Sequence, residues 1–349
     1  MNEHPGRAGL DTRVPAPTAD PPGRLGRLWS RALRPLLTLP IIETRVARRG
    51  FQVDSPQVVQ RLQTIGAHFA HGYNTALRSA SLQALTTALQ AEAPADAGFT
   101  FEGAAMGLAL LDGLTPGRHW WAAFVAGPAR QHDYMAWVGL GWALARLPGS
   151  PQRALRHHRS IKRWLALDGW GFHAGYFDWR RSVLQQRRPA ALQGLAARVF
   201  DQGLGRSLWF VWGANPLAVQ RSIAGFAADR QADLWSGIGL AAAYAGAIDD
   251  VGLIALRRAA AGHGPDLGQG VAFAAEARWR AGNPVPHAER ACQALLGLSL
   301  AQAAALARAS LPAQGDDLES YQRWRAAIRA ACVQGLDVRP AQAACGPRG

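Results

Sequence analysis

A pair of small residues returns along this chain at a spacing near 34: Gly139 with Gly141, Gly169 with Gly171, Gly203 with Gly205, Gly237 with Gly239, then Gly270 with Ala272. Successive first glycines lie 30, 34, 34 and 33 residues apart, and Gly103-Ala-Ala105 starts 36 residues before Gly139. A period of that size belongs to stacked helical hairpins. The expected fold is therefore all-α: a TPR-like α-solenoid of helical hairpins with capping helices at its N- and C-terminal ends.

The copies agree beyond the glycines. Position +1 from each first glycine is Leu140, Trp170, Leu204, Ile238 and Val271, position +5 is Leu144, Ala174, Leu208, Ala242 and Ala275, and position +8 is Leu147, Phe177, Val211, Ala245 and Arg278. Broken only in the last copy, these three positions make one stripe at helical spacing. Glycine inside a helix costs roughly 1 kcal/mol relative to alanine, so the repeated pair calls for a compensating reason, namely the close approach of a neighbouring helix. Turn signals follow each motif: Pro148 to Pro151, Arg187 to Pro189, Gly213 to Pro216, Gly246 to Asp250, and Gly282 to Pro284. The second helices are expected at Gln152 to Leu167, Ala190 to Phe200, Leu217 to Leu234, Val251 to Ala261 and His287 to Leu296.

Residues 97–300 then form the array. Residues 51–96 supply N-terminal capping helices, the first opened by Ser55-Pro56 and the next by Ser81. Residues 301–333 close the other end, with Tyr321, Trp324 and Ile328 at closing-helix spacing. Residues 1–23 and 334–349 are expected to be a disordered leader and tail. Between leader and caps lies a basic amphipathic segment, 24–50, in which Leu25, Leu28, Trp29, Leu33, Leu36 and Leu37 alternate with arginines. Its apolar runs are too short for a secretory signal, and no run in the chain reaches the roughly 18 apolar residues of a membrane span. Residues 24–40 either dock on the array or lie on an anionic membrane surface.

The formal net charge is +14, and 37 of the 38 basic residues are arginine, Lys162 being the exception. Arg146, Arg153, Arg156, His157, His158, Arg159, Lys162, Arg163, Arg180, Arg181, Arg187 and Arg188 form a basic concentration that suits nucleic acid, anionic lipid or an acidic protein partner, or is a plain solvated face. It lacks aromatic interleaving and any recognisable nucleic-acid-binding signature, which argues against nucleic acid. Cys292, Cys332 and Cys345 have neither the number nor the spacing of a disulfide framework or zinc site. A reducing cytoplasm is expected.

The chain carries no G-x-S-x-G, Walker A or H-E-x-x-H motif. None of its glycine pairs extends to G-x-G-x-x-G, so no cofactor is expected. What remains is a constellation on the third and fourth copies. His173 and Tyr176 share a helix face three residues apart, and Arg206 and Trp209 repeat that spacing in the next copy. If adjacent hairpins share a groove, His173, Tyr176 and Arg206 beside Trp170, Trp209 and Trp235 would grip an extended unsaturated ligand or perform acid–base chemistry. The plainer alternative leaves His173 and Tyr176 bonding between helices while the tryptophans fill core. Asp201, Asp233 and Asp266, just before their glycines, suit capping or pairing with arginine better than metal binding.

Several longer strings carry a resemblance. They are Arg48-Arg49-Gly50-Phe51, Phe101 to Met106 with Leu110-Leu111-Asp112, Leu167 to His173, Phe200 to Phe210, and Asp233 to Gly237. In this order they closely resemble the UnbL-like enediyne biosynthesis proteins, over roughly residues 45–330. The resemblance implies a bacterial cytoplasmic accessory protein acting beside an enediyne polyketide synthase, with no reaction and no catalytic set to carry over. Its implied partners are the synthase or its acyl-carrier domain, neighbouring accessory proteins and a polyene intermediate. Two functions stand at this point: a binding or scaffold protein that shields the polyene, and a tailoring enzyme with His173 as acid or base, Tyr176 beside it and Arg206 steadying negative charge. A third is a peripheral membrane adaptor acting through residues 24–40.

Overall fold

A computed structural model describes residues 23–337; all but the last residue of the expected leader fall outside it, as do residues 338–349 of the expected tail, whereas residues 334–337, expected to be disordered, continue the last helix. Every regular element among the described residues is helical. In chain order these are α1 (Arg24–Leu37), α2 (Val46–Arg49), α3 (Pro56–Arg78), α4 (Leu82–Gln90), α5 (Ala97–Leu114), α6 (Trp120–Ala126), α7 (Asp133–Leu144), α8 (Pro151–Leu155) and α9 (Leu165–Phe177). They continue as α10 (Gly194–Val211), α11 (Pro216–Ala224), α12 (Ala228–Ala245), α13 (Asp250–Ala259), α14 (Gly264–Arg280), α15 (Pro286–Leu296), α16 (Leu300–Ala309) and α17 (Leu318–Asp337). Local chemistry sets several boundaries. The Ser55 hydroxyl accepts from the Val58 amide behind Pro56, Ser81 caps the Ala84 amide, and Asn215 caps Leu217 and Ala218 behind Pro216.

The glycine pairs hold the fold together. A Cβ on Gly139, Gly169, Gly203, Gly237 or Gly270 would lie 1.7–2.2 Å from a backbone oxygen of the preceding motif helix, on Glu102, Val138, Asp168, Gln202 and Ser236 respectively. The second glycines face forward. Gly141, Gly171, Gly205 and Gly239 would each put a Cβ 1.9–2.1 Å from the carbonyl of Ala166, Phe200, Leu234 or Leu267 on the next one. Each motif helix is thus clamped on both sides, main chain against main chain, at a distance only hydrogen atoms permit. The result is a row in which α3, α5, α7, α9, α10, α12 and α14 neighbour one another in sequence order.

This arrangement departs from a TPR-like hairpin solenoid in three respects. First, the second helix of each hairpin is uneven. α11, α13 and α15 pack on one another as an outer layer, but residues 145–164 hold only the five-residue α8 and a short turn, and residues 178–193 only one π turn, Arg180–Leu184. Second, the motif helices are buried all round rather than along one stripe; α7 buries eleven of its twelve residues. Third, the row closes on itself. Phe99 of α5 meets Tyr244 of α12 edge to face at 5.2 Å, and Tyr134 of α7 meets Phe273 of α14 at 6.4 Å. Arg61 of α3 donates to the Ala245 carbonyl at 2.9 Å, and Arg278 of α14 reaches the Ala95 carbonyl. The open groove expected between adjacent repeats is therefore filled by the molecule itself.

At the C-terminal end, Tyr321, Trp324 and Ile328 of α17 are fully buried, with Trp324 against Phe273. At the other end, α1 runs into a strap, residues 38–53, which crosses the ends of α3 and α9. Asn74 holds both the amide and the carbonyl of Leu39, the Tyr73 hydroxyl donates to the Leu37 carbonyl, and Trp179 donates to the Arg49 carbonyl. No described helix is long and apolar enough to cross a membrane.

Candidate functional site

Beneath the strap lies a narrow cavity of about 30 Å³ walled almost wholly by carbon. Its walls follow from helical spacing: Ile65 and Phe69 on α3, Phe99 and Glu102 on α5, and Phe172 and Tyr176 on α9 are pairs three or four residues apart that share a face. Trp142 and Phe210 complete the sides, while Leu39, Glu43, Thr44 and Phe177 line the mouth. Trp142 is the hub of the aromatic cluster, with ring centroids 4.5 Å from Phe69, 5.1 Å from Phe172 and 5.8 Å from Tyr176.

Glu102 is the polar feature at the base of this cavity. Its side chain is buried, and its Oε1 accepts the Trp142 indole N–H at 3.0 Å. Burial pushes the carboxyl up to about 7, helped by the nearby Asp168 and opposed by the Arg206 guanidinium and the Trp142 hydrogen bond. The group is therefore poised to exchange a proton near neutrality, as a general acid or base requires.

Sequence reasoning passed over Glu102 as a site residue, yet a signal for it exists. It occupies position −1 of its copy, where the next copy has Val138 and the four after it carry Asp168, Gln202, Ser236 and Gln269. In the fold these residues form a buried polar ladder: Gln202 donates to Asp168 at 2.8 Å, Ser236 bridges Gln202 and Gln269, and Arg325 donates to Gln269. A carboxyl group within the otherwise apolar run Phe101 to Leu111 of α5 needed a partner or a task.

The six predicted site residues do not converge. Tyr176 lines the cavity, and burial raises its phenol to about 12. His173 is half-buried beside it but outside the lining; it meets Trp142 edge to face at 5.6 Å and accepts from Arg146 Nε at 3.4 Å. Burial, then the Arg146 charge, pulls its imidazole down to about 3, so it is neutral and an acceptor at ordinary pH. Arg206 is buried and committed: it donates to Asp168 at 2.5 Å, lies 4.7 Å over the Phe172 ring and faces a second, smaller cavity of about 20 Å³ inside the ring of helices. Trp209 is core, donating to the Gly246 carbonyl at 2.9 Å, and Trp235 stacks on His263. Trp170 is half-buried against the main core and away from the cavity. The close helix approach that separates these groups is the same one that fills the expected groove.

The basic concentration also divides. Lys162 pairs with Asp133, Arg163 with Asp316 and Arg188 with Asp201, while His158 packs edge-on against Trp121 and Trp137. Arg153, Arg156, Arg159, Arg180, Arg181 and Arg187 remain exposed. Asp201, Asp233 and Asp266 all pair with arginine: Asp201 with Arg230, Asp233 with Arg198, Arg325 and Arg329, and Asp266 with Arg329.

Fold and site together define an all-helical protein built round a ring of closely packed helices, with an aromatic cavity under an N-terminal strap and the buried carboxyl of Glu102 in its wall. Residues 28–332 match the family model described as protein of unknown function DUF1702, and the chain belongs to that family. No curated protein and no solved structure matches it.

Proposed function

We propose that this protein binds an elongated, conjugated apolar molecule in the aromatic cavity, as an accessory protein of enediyne-type polyketide biosynthesis that shields a polyene and presents it to partner enzymes. The observation that carries the binding reading is the cavity itself. Phe69, Phe99, Trp142, Phe172, Tyr176 and Phe210 offer flat faces and edges to a flat π-system; the free space between them is about 30 Å³, so a ligand enters by parting these walls. The pathway assignment rests on the sequence strings quoted above. Exposed Arg153, Arg156 and Arg159 support docking of an acidic acyl-carrier domain through charge complementarity.

The separation of His173, Tyr176 and Arg206 favours binding over the catalytic triad of roles first expected for them. A second reading, a tailoring enzyme acting on the polyene, is favoured by Glu102. A carboxyl pushed up to about 7 inside an aromatic site is suited to shift a double bond by giving its proton to one polyene carbon and then, as the carboxylate, taking a proton from another, which regenerates the acid. The deciding experiment incubates the purified protein with the polyene released by an enediyne polyketide synthase and follows binding, mass and absorption spectrum. Tight binding with unchanged mass and spectrum supports the carrier. A changed product that disappears in Glu102→Gln supports the enzyme, and absence of both binding and change overturns the cavity as a ligand site.

A further inference from the structure

Exposed large apolar side chains are scattered singly over most of the surface, as on any protein. Five of them gather within fifteen residues at the N-terminal end: Leu28 (63 % exposed), Trp29 (55 %), Leu36 (81 %), Ile41 (57 %) and Ile42 (45 %). Residues 24–50 around them hold seven arginines, at 24, 27, 31, 34, 45, 48 and 49, and a single acid, Glu43, which is itself paired with Arg48 and Arg49. Apolar side chains interleaved with a sequence excess of arginine match the interface of an anionic bilayer, where the rings and alkyl chains enter the acyl boundary and guanidinium groups meet phosphates. The surface is anchored to the body, since the Trp29 indole donates to the Leu114 carbonyl at 2.9 Å.

We propose that residues 28–42 dock on the anionic leaflet of a lipid membrane and that the strap from Leu39 to Thr44 is the passage by which an apolar ligand moves between bilayer and cavity. The strap has two sides. Ile41 and Ile42 face outward, whereas Leu39, Glu43 and Thr44 line the cavity mouth. At its centre it rests on α3 so closely that a Cβ on Gly66 would lie 2.7 Å from the Thr44 side chain. A ligand with no affinity for water would then travel from hydrocarbon to aromatic walls across one layer of residues. The passage rests on the cavity-binding reading; the docking does not.

The test is therefore made without ligand. Full-length protein is sedimented with vesicles of phosphatidylcholine containing phosphatidylglycerol and with vesicles of phosphatidylcholine alone. The expected result is pelleting with the first and little with the second, falling as salt rises. Leu36→Glu/Ile41→Glu, which alters exposed side chains only and whose fold is checked by circular dichroism, should bind at least about tenfold more weakly. Equal pelleting of the double variant, equal pelleting with both vesicle types, or no pelleting accompanied by self-association in solution would each overturn the docking. If docking holds while the polyene fails to bind, only the passage falls.

Discussion

The carbonyl oxygen of Asp168 lies 1.7 Å from where a Cβ on Gly203 would stand. The carbonyl belongs to α9 and the glycine to α10, so the two helices touch through main chain, and the same carbonyl's residue offers its carboxylate to Arg206 and Gln202. Gly203→Ala must push these helices apart, and with them the polar ladder. The expected loss is about 3 kcal/mol or more. Gly225→Ala is the control, because the nearest atom to its Cβ is at 3.4 Å, and it should stay within about 0.5 kcal/mol. Denaturation midpoints of the two variants check the contrast.

Glu102 links stability to pH. Its folded value, about 7, lies above its ordinary 4.5, so between these limits the folded state holds a proton the unfolded chain has released. The stabilisation from this proton is full below the ordinary value and is lost as pH rises through about 7. Glu102→Gln should therefore gain stability relative to the parent as pH is raised, by an amount on the order of 2–3 kcal/mol. Paired urea titrations across this window measure it; a difference independent of pH would show that Glu102 is charged at neutrality.

The opposite sign applies to His173. Its folded value of about 3 lies below its ordinary 6.5, so its stabilisation is present above the ordinary value and fades as pH falls toward the folded one. His173→Gln retains an acceptor for Arg146 and should lose less stability than the parent on acidification. Ligand capture should be unchanged, because His173 is not part of the cavity wall. A loss of binding with the fold intact, measured by fluorescence titration with a polyene, would return His173 to the site.

Asp233 is fully buried between Arg325, Arg198 and Arg329. Burial alone would raise its carboxyl, but these guanidinium groups together hold it below the ordinary range. Asp233→Asn leaves the buried Arg325 charge uncompensated and should cost about 3–5 kcal/mol, among the largest effects of any isosteric change in the chain. Thermal denaturation measures it.

Much of the scaffold was legible because its causes are local. Ser55-Pro56 and Asn215-Pro216 start helices by chemistry complete within four residues. The glycine pairs announced close helix contact, since nothing else recoups their cost at a fixed period. The candidate site was far less legible. Trp209 sits on a motif helix like any site residue, and only its bond to Gly246 shows it to be core. Glu102 and Arg206 are 104 residues apart, and their electrostatic contact depends on how α5 and α10 are turned toward one another.

The residues by themselves determined an all-helical chain, the positions of its motif helices and the main-chain contact between successive ones, because steric need at a glycine and capping at a serine act over a few ångströms and residues. Tertiary structure alone decided that the row closes, that the expected groove is filled, and that a cavity opens beneath the strap around Glu102. Closure sums small rotations over seven helices, and a sequence period specifies the contact between neighbours without specifying that α12 and α14 return to α5 and α7.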